Sequence, residues 1–393
     1  MIGILNYISD FFVFWNLKKI SKGYLNIIDS KGKSHFFGDS KSFLRAKMKI
    51  NDPSFCYKIL RKGSAGLGES YMSGEFSTED LTSLIELSAR NINITYRFSG
   101  FFEFSLLKNL LKENKNTVTR SKKNISLHYD LGNDFFSTWL DKTLTYSCGI
   151  FNSSQESLEQ AQINKYNKLI NMVKPLKGDR VLEIGCGWGG FAEHLAKNYD
   201  IKLDCITISQ KQYLFTKERI RKKKLNNKVN VQMMDYRDLK NKYDIIVSIE
   251  MIEAVGEKYL NKYFNIIKEN LSEGGRGAIQ AIVIKDELYN RYRTKEDFIQ
   301  KYIFPGGFLP SMKYLNKLSN ASGLKIDRYY SYGSHYSNTL QKWRESFLKS
   351  WDIISRQGFN TSFKKMWDFY FSYCDAGFKS KNIDLVQFSL CNK

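Results

Sequence analysis

VLEIGCGWGG, residues 181–190, joins an apolar run to a loop rich in glycine. An apolar run followed by such a loop is typical of the first strand of a parallel α/β sheet, and ligands bind at the carboxyl ends of these strands. Glycine lets the backbone approach a ligand closely, and the helix that follows offers the ligand its N-terminus. The stretch therefore predicts a ligand site built on Gly185, Gly187 and Gly189 at the end of a central strand.

Downstream of this loop, apolar segments typical of strands alternate with segments typical of helices. This alternation predicts an α/β fold in which helices cover both faces of a parallel sheet. Ser153 and Glu156 have the spacing of a capping box and predict the start of a helix before the sheet. The predicted elements are the strands RVLEIG (180–185), KLDCITIS (202–209), VNVQMMD (229–235), YDIIVSI (243–249) and GRGAIQAIVI (275–284), with helices from Gly190, over 211–224 and over 257–271.

Three ligand classes use a glycine loop in this position. A phosphate-binding loop ends in Gly-Lys-Ser or Gly-Lys-Thr, whereas Phe191 follows the glycines here, so this class is excluded. A dinucleotide loop has the spacing GxGxxG, which Gly185, Gly187 and Gly190 fit, but it also requires an acid at the end of the second strand. That strand ends in Thr207-Ile208-Ser209, so the loop alone leaves the dinucleotide as an alternative.

S-adenosylmethionine is the third ligand class, and its loop has the form E-x-G-C-G-x-G. Glu183 would then lie at the strand end, and the loop would pass under the methionine part of the ligand. The third strand runs into Asp235 and Tyr236, an acid and a ring suited to adenine. The fourth strand leads to Glu250 and Glu253, which puts two acids at the same cleft unless one of them caps the next helix. These residues favour S-adenosylmethionine.

The charge of the chain indicates an anionic partner. Lysine and arginine number 61 against 40 aspartates and glutamates, a net charge of +21 over 393 residues. Such a charge favours nucleic acid or an acidic lipid surface, or it reflects a lysine-rich genome. The sequence has no NPPY-like tetrapeptide and no Pro-Cys dipeptide, the marks of base methylation, so no nucleic-acid partner is expected. The six cysteines form no CxxC pair, so neither a zinc knuckle nor a redox motif is predicted.

The composition along the chain predicts three regions. Residues 1–110 predict a small α+β domain associated with lipid or with a dimer partner, 111–124 a basic linker, and 125–393 one large domain that contains the glycine loop. In the first region, Ser77 or Thr78 is expected to cap a helix. The apolar run 1–19 is too short and too interrupted to span a membrane. We expect it to pack onto the first domain, with a membrane-surface helix or a dimer contact as alternatives.

Several longer segments occur in the order found in one protein family, and each alone is modest evidence. They are HYDLGNDFFSTWLDKTLTYSCGIF (128–151), VLEIGCGWGG (181–190), ITISQKQ (206–212), MDYRDL (234–239), IEMIEAVG (249–256), KYIFPGGFLPS (301–311), HYSNTLQKW (335–343) and FSYCDAGF (371–378). As an ordered set they resemble the cyclopropane-fatty-acyl-phospholipid synthase family, which includes the mycolic acid cyclopropane synthases. GLGESYMSGEF (66–76) resembles the N-terminal domain of the longer bacterial members.

The resemblance implies a class I S-adenosylmethionine methyltransferase with a Rossmann-like sheet. The implied reaction is methyl transfer to the double bond of unsaturated acyl chains in membrane phospholipids, which forms cyclopropane fatty acids. The alternatives are a methyl or methylene branch without ring closure, and a non-catalytic lipid-binding protein on the same fold. The resemblance also implies a cytoplasmic enzyme, peripheral at the inner, anionic face of the membrane, with a homodimer as a further expectation.

Carried over position by position, the cofactor contacts of the family fall on an aromatic–serine pair, the glycine loop and polar residues after the second and third strands. These residues are Tyr146, Ser147, Glu183, Gly185, Cys186, Gly187, Gly189, Thr207, Ser209, Gln212, Asp235, Tyr236 and Arg237. Thr207 and Gln212 would take the place of the missing strand-end acid at the ribose.

The family's base is a bound bicarbonate, which makes bicarbonate a second expected ligand. The matching positions for holding it are the backbone of Cys148 with Glu253 and Tyr336. A cysteine of the family sometimes taken as catalytic falls on Cys374, for which a buried structural thiol is the alternative reading.

Two positions depart from the family pattern. The usual Glu-His pair after the fourth strand is Glu253-Ala254 here, and the histidine expected on the fifth strand, a bicarbonate ligand, is Gln280. Glutamine can donate a hydrogen bond but carries no positive charge, so an anion would be held less firmly. The departures leave methyl transfer intact and keep the branched product as the alternative to the ring.

Overall fold

The computed structural model describes residues 2–94 and 131–393. The predicted linker 111–124 and the first residues of the segment 128–151 lie outside the described residues. The chain divides into two compact units, each made of three segments. Unit 1 comprises Met1–Glu113, Thr294–Ile303 and Ser355–Asn382, and unit 2 comprises Asn114–Arg293, Phe304–Ile354 and Ile383–Lys393.

This division differs from the one expected from the sequence, because two late segments belong with the N-terminal region. Packing within unit 1 explains why. Gly68 faces the ring of Phe298 so closely that a Cβ atom there would overlap it. The hydroxyl of Tyr71 donates a hydrogen bond of 2.6 Å to the carboxylate of Asp368. The composition along the chain did not indicate either contact, because each contact joins residues more than two hundred positions apart.

Unit 1 is an α+β unit around a four-stranded sheet of order β2-β1-β3-β4. β1 pairs antiparallel with β2 and parallel with β3. The elements are α1 (Ile2–Leu17), β1 (Tyr24–Ile28), β2 (Ser34–Gly38), β3 (Arg45–Ile50), α2 (Phe55–Ser73), β4 (Phe76–Thr78) and α3 (Leu81–Arg90), with α10 (Phe298–Tyr302) and α14 (Thr361–Lys379) from the later segments. Helix α2 is kinked at Gly63, whose φ is positive (54°).

Helix α1 presents two different faces. Ser9, Val13 and Asn16 are buried within unit 1, as expected for a helix that packs onto it. The opposite face leaves large apolar side chains exposed to solvent. In the part of the chain that the structure describes, no helix combines the length and apolar content needed to cross a bilayer.

Unit 2 contains a seven-stranded sheet of order β10-β11-β9-β8-β5-β6-β7. Its strands are β5 (Arg180–Ile184), β6 (Lys202–Thr207), β7 (Val229–Met233), β8 (Tyr243–Ile249), β9 (Leu271–Ile284), β10 (Leu324–Ser331) and β11 (Ile383–Asn392). Its helices are α4 (Asn133–Trp139), α5 (Leu158–Val173), α6 (Gly190–Asn198), α7 (Gln210–Lys222), α8 (Leu260–Asn270), α9 (Asp286–Tyr292), α11 (Met312–Ala321), α12 (Gly333–Lys349) and α13 (Trp351–Arg356).

The predicted parallel sheet is present, with an antiparallel edge that the sequence pattern did not indicate. β7, β6, β5, β8 and β9 run parallel, whereas β11 pairs antiparallel with both β9 and β10. Neighbouring residues of β5 point to opposite faces: Val181 joins the core under α5 and α6, and Leu182 joins the core under α8 and α11. Helices thus cover both faces of the sheet at β5. Within the described residues, the carboxyl edge of β5 is where a ligand can still reach the sheet.

Two helix starts differ from the sequence prediction. Asp80, not Ser77 or Thr78, caps α3 by accepting a hydrogen bond from the backbone of Ser83. Ser157, not Ser153, caps α5, and its hydroxyl accepts from the backbone of Gln160. The loop before α5 explains the second error, since Glu156 accepts from the backbone of Asn152 (2.7 Å) and is unavailable for a capping box.

Candidate active site

A cleft in unit 2 opens at the carboxyl ends of β5, β6, β7 and β8. The glycine loop forms one wall, with left-handed backbone at Gly185 (φ 82°), Gly187 (φ 53°) and Gly189 (φ 79°). The amides of Gly185 and Cys186 both donate to the carbonyl of Ile206 on β6, at 3.0 and 3.1 Å. These bonds fix the loop to the neighbouring strand.

The glycines of the loop serve different purposes. A Cβ atom at Gly189 would lie 2.6 Å from the Thr216 methyl carbon, and one at Gly190 would lie 2.5 Å from the Tyr166 hydroxyl. At Gly187 no heavy atom of the described residues, its chain neighbours aside, lies within 4 Å of that position, and Gly187 lines the cleft. The first two glycines therefore allow close packing, whereas Gly187 leaves free space for a ligand that passes over the loop.

Most of the residues expected to bind the cofactor line this one cleft. They are Tyr146, Ser147, Glu183, Gly185, Cys186, Gly187, Thr207, Gln212, Asp235, Tyr236 and Arg237. Gly189 and Ser209 are not among the lining residues. Gly189 precedes α6 and packs on Thr216, and Ser209 caps α7, where its hydroxyl accepts from the backbone of Gln212.

Polar side chains near the carboxyl ends of β6 and β7 are held by one another. The hydroxyl of Thr207 donates to the side-chain oxygen of Gln212 at 2.9 Å. Asp235 forms a two-pronged ion pair with Arg237, with bonds of 2.8 and 2.6 Å, and both side chains are more than nine-tenths buried. This hydrogen bonding raises the pKa of Arg237. Buried, mutually fixed groups of this kind can present the same donors and acceptors to each incoming ligand.

Two ionisable residues, Lys165 and Glu183, line the cleft and are buried. Lys165 donates from its ammonium group to the Ser147 hydroxyl at 2.7 Å, and Glu183 accepts a weak bond from the Cys205 thiol at 3.6 Å. Burial lowers the pKa of Lys165 to about 8 and raises the pKa of Glu183 to about 8. Sequence reasoning did not single out Lys165, because a lysine on a helix is usually exposed.

The acid at the centre of the site is Glu250, the first residue after β8. Its carboxylate accepts from the backbone amide of Cys148 (2.9 Å), from the Gln280 side-chain amide (2.7 Å) and from the Tyr336 hydroxyl (2.5 Å). Glu250 also lines the cleft. The structure thus brings Cys148, Gln280 and Tyr336 together as predicted, but around Glu250.

The expectation that Glu253 stands beside Tyr336 and Gln280 is wrong. One oxygen of Glu253 accepts from the backbone of Ile282 at 2.6 Å, and the other is buried with no hydrogen-bond partner among residues 2–94 and 131–393. Burial raises the pKa of Glu253 to about 8. Glu253 is not among the residues that line the cleft. A short turn after β8 separates the two acids and directs the second one toward β9.

A second glutamine fixes the orientation of Gln280. The side-chain oxygen of Gln280 accepts from the Gln387 amide on β11 at 2.8 Å, so its own amide points at Glu250. Both glutamines are fully buried. No sequence pattern indicated Gln387, which lies 107 positions from Gln280 and reaches it through the antiparallel pair β9–β11.

The two cysteines predicted to be catalytic are placed differently. Cys148 contributes its backbone amide to Glu250, and its thiol is completely buried, which raises the thiol pKa. Cys374 lies on α14 in unit 1, and burial raises its thiol pKa as well. Cys374 does not line the cleft of unit 2. Neither thiol has the lowered pKa that a nucleophile or base requires.

Glu250 and its three donors, Cys148, Gln280 and Tyr336, form what we call the carboxylate cluster. Aromatic rings surround Tyr146, which lines the same cleft as Glu250. Its ring centroid lies 5.3 Å from Phe136, 5.7 Å from Trp139 and 5.2 Å from Trp343. Trp343 in turn contacts the ring of Tyr336 at 6.2 Å. Ring faces attract positive charge, so this wall suits a cation that forms inside a dry site.

Comparison with known proteins identifies the family. The family model for mycolic acid cyclopropane synthetase matches residues 116–388, more than half of the chain. The chain belongs to this family. It is 34% identical to the cyclopropane-fatty-acyl-phospholipid synthase of Escherichia coli K12 over 351 residues, which cover 87% of each protein. It is also 34% identical to the tuberculostearic acid methyltransferase UfaA1 of Mycobacterium tuberculosis, over 85% of this chain and 80% of that one.

Solved structures support the same assignment. The mycolic acid cyclopropane synthase CmaA1, complexed with S-adenosylhomocysteine and CTAB, superposes with a TM-score of 0.65 and 26% identity, covering 69% of this chain and 98% of that one. The cyclopropane synthase MmaA2 of Mycobacterium tuberculosis gives the same TM-score and identity. The resemblance and the class I Rossmann-like fold predicted from the sequence are confirmed, and the chain is an S-adenosylmethionine-dependent methyltransferase of the cyclopropane synthase family.

Proposed function

We propose that the enzyme transfers the methyl group of S-adenosylmethionine to the double bond of unsaturated acyl chains in membrane phospholipids and closes a cyclopropane ring. The observation that carries this proposal is the carboxylate cluster at Glu250, placed where the glycine cleft meets the aromatic wall of Tyr146. Family membership and the similarity to the Escherichia coli synthase support it.

The cofactor supplies an electrophilic methyl group on a sulfonium sulfur. In the proposal, the open space over Gly187 takes the methionine part, and Thr207 with Gln212 takes the ribose. Asp235 and Tyr236, which follow β7 and line the cleft, would hold the adenine. These groups position the methyl group near the carboxylate cluster and leave the acyl chain to approach from the aromatic side.

The remaining residues handle the charge that develops on the acyl chain. Attack by an alkene leaves a positive charge on its second carbon, and the rings around Tyr146 stabilise such a charge. The same rings exclude water, which would otherwise add to the cation. Ring closure also requires that the added methyl group lose a proton to a base within hydrogen-bonding reach.

A branched product is the second candidate. Gln280 and Ala254 depart from the histidines of the family pattern, and one of the similar relatives is named a tuberculostearic acid methyltransferase. Both products begin with the same methyl transfer and differ in whether a hydride moves along the chain before the proton is lost. A non-catalytic lipid-binding role is less well supported, because the glycine loop and the carboxylate cluster are intact.

Lipid analysis tests the function and separates the products. Phospholipids containing oleoyl chains are incubated with the enzyme and S-adenosylmethionine, and their fatty esters are separated against cyclopropane, methylene-branched and methyl-branched standards. We expect the cyclopropane ester, which is heavier than the substrate by one CH2 unit. A methylene-branched ester of the same mass would select the second candidate, and unchanged lipid would refute methyl transfer to acyl chains.

We infer that the exposed face of α1 rests on an anionic phospholipid surface. Ile4, Tyr7, Phe11 and Trp15 follow one another at helical spacing and are 49–71% exposed. Lys18, Lys19 and Lys22 come directly after them, and the net charge of the whole chain is +21. Apolar side chains beside lysines are typical of helices that lie in the membrane interface.

Vesicle binding tests this contact. Phe11→Ser should weaken sedimentation with anionic vesicles, and Leu176→Ser, which changes an exposed leucine in unit 2, serves as the matched control. Binding of the parent should fall steeply as salt rises, because the screening length is about 8 Å at physiological ionic strength. Equal binding to neutral and anionic vesicles would refute the electrostatic part. A monomer produced by Phe11→Ser from a dimeric parent would assign this face to the expected homodimer instead.

A further inference from the structure

The carboxylate of Glu250 is held by donors from three separate parts of unit 2. They are the Cys148 amide before α5, the Gln280 side chain on β9 and the Tyr336 hydroxyl on α12. One carboxylate oxygen accepts from Cys148 and Gln280, and the other accepts from Tyr336. Because elements far apart in sequence converge on one group, the position of this carboxylate is fixed by the fold.

These donors are the ones that the family pattern assigns to a bound bicarbonate. A carboxylate and a bicarbonate ion share a planar O–C–O unit with the same negative charge, so one set of donors suits either anion. Here both oxygens of Glu250 already occupy the donors of Cys148, Gln280 and Tyr336. The Glu250 carboxylate thus occupies the position that the family pattern assigns to a bicarbonate ion bound from solution.

The backbone at Glu250 is arranged to deliver this carboxylate to the cleft. Glu250 has left-handed backbone (φ 50°), which side-chain-bearing residues adopt only when their surroundings enforce it. Its amide donates to the Gln280 carbonyl at 2.8 Å and so extends the pairing of β8 with β9 by one residue. Strained backbone held in this way is common at functional sites.

We propose that Glu250 is the base that takes the proton from the newly added methyl group, and that the enzyme needs no bicarbonate. This inference rests on the proposed function. The π electrons of the alkene form a bond to the methyl carbon, the former S–C electron pair stays on sulfur, and the second alkene carbon becomes positive. Glu250 then accepts a proton from the added methyl group, and the electrons of that C–H bond close the ring onto the positive carbon.

The surroundings of Glu250 suit a base. Burial raises its pKa, while Tyr336, the Cys148 amide, Lys165 and Gln280 oppose that effect and stabilise the charged form. The raised pKa makes Glu250 a stronger base than a carboxylate in water, and its partners favour the charged form. Since Glu250 borders the cleft, the captured proton can leave to solvent after the product departs.

The test compares Glu250→Gly and Glu250→Gln with the parent in full-length enzyme. Glycine adopts the left-handed backbone readily and leaves the three donors facing an empty anion-sized space. We expect turnover of the parent to be the same in bicarbonate-free buffer and with bicarbonate added. Each variant should lose at least about 100-fold in turnover, the low end for a general base, with its S-adenosylmethionine affinity by calorimetry close to the parent value. Added bicarbonate or formate should restore much of the Glu250→Gly turnover but none of the Glu250→Gln turnover.

A binding readout independent of activity accompanies the rates. Bicarbonate and formate should raise the melting temperature of Glu250→Gly in a saturable way and leave that of the parent unchanged. Glu257→Gln, a nearby acid outside the cleft, is the matched control for the substitution. Turnover of Glu253→Gln is measured in parallel, because Glu253 is the alternative candidate for the base.

Two results would overturn the inference, and a third would overturn the proposed function on which it rests. A parent enzyme that slows when bicarbonate is removed uses bicarbonate as its base. Near-parent turnover of Glu250→Gln removes Glu250 from proton transfer, and a large loss in Glu253→Gln at the same time assigns the role to Glu253. If the parent methylates no unsaturated phospholipid, the proposed function fails, and the melting-temperature response of Glu250→Gly still decides whether these donors form an anion site.

Discussion

Removing the hydroxyl of Tyr336 should change the acidity of Glu250 in a direction and by an amount that the structure defines. The hydroxyl donates to the Glu250 carboxylate at 2.5 Å, and Tyr336 is buried at 6% exposure, so water cannot easily replace it in Tyr336→Phe. A hydrogen bond to a charged group contributes about 1.5–3 kcal/mol. At about 1.4 kcal/mol per pKa unit, its loss should raise the pKa of Glu250 by about one to two units.

The direction of the pKa change depends on which protonation form of Glu250 the hydrogen bond from Tyr336 stabilises. The Tyr336 hydroxyl stabilises the carboxylate, so without it Glu250 holds its proton to higher pH. The acid limb of the turnover profile should therefore move upward by about one to two pH units, and activity on the alkaline side should be retained. The other groups around Glu250 that titrate or carry charge, Cys148, Lys165 and Glu253, remain in place in the variant.

The assay is turnover of oleoyl phospholipid as a function of pH at saturating S-adenosylmethionine. Tyr332→Phe is the control, because Tyr332 begins the same helix and makes no hydrogen bond to Glu250 among the described residues. An acid limb that stays at the parent position, with turnover reduced equally at each pH, would show that Tyr336 does not act through the carboxylate. That result would refute the reasoning.

Three further predictions concern the cofactor, the glutamine pair and the helix cap. Gly187→Val forces a branched residue into left-handed backbone and fills the open space over the loop, so calorimetry should show at least about tenfold weaker S-adenosylmethionine binding. Gln387→Leu frees the Gln280 amide and should lower turnover several-fold, while calorimetry shows unchanged cofactor affinity. Ser157→Ala should lower the free energy of unfolding by about 1 kcal/mol in denaturant titrations, whereas Ser153→Ala should not change it.

The glycine loop shows what the sequence could predict. Its spacing after an apolar strand indicated both the sheet and the ligand edge, because backbone freedom and strand burial are local properties. Most of the expected cofactor residues consequently meet in one cleft, and the eight ordered segments between residues 128 and 378 lie in the region that the family model matches. The antiparallel strand β11 was missed, since its pairing with β9 is a long-range contact that alternation of strands and helices does not indicate.

The identity of the central acid was beyond sequence reasoning. Glu250 and Glu253 stand three residues apart, and the family pattern pointed to the second. What decides between them is the left-handed backbone of Glu250 and the donors that meet it from Cys148, Gln280 and Tyr336. Such a convergence depends on tertiary packing, and no local pattern records it.

Cys374 illustrates the opposite error. Its segment, FSYCDAGF, matches the family in sequence, and this encouraged a catalytic reading. The residue lies on a helix whose packing belongs to unit 1, and burial raises its thiol pKa. A matching motif therefore supported the family assignment without supporting a chemical role for each residue in it.

The most direct test of the account uses S-adenosylmethionine with a trideuterated methyl group and phospholipids containing oleoyl chains. If the enzyme transfers the methyl group and a base then removes one of its hydrogens to close the ring, the product is a cyclopropane ester whose added carbon keeps two of the three deuterium atoms. Mass spectrometry after chromatographic separation measures both the ring and the label. An added carbon that keeps all three deuterium atoms, or lipids without label while S-adenosylmethionine binds, would contradict the account.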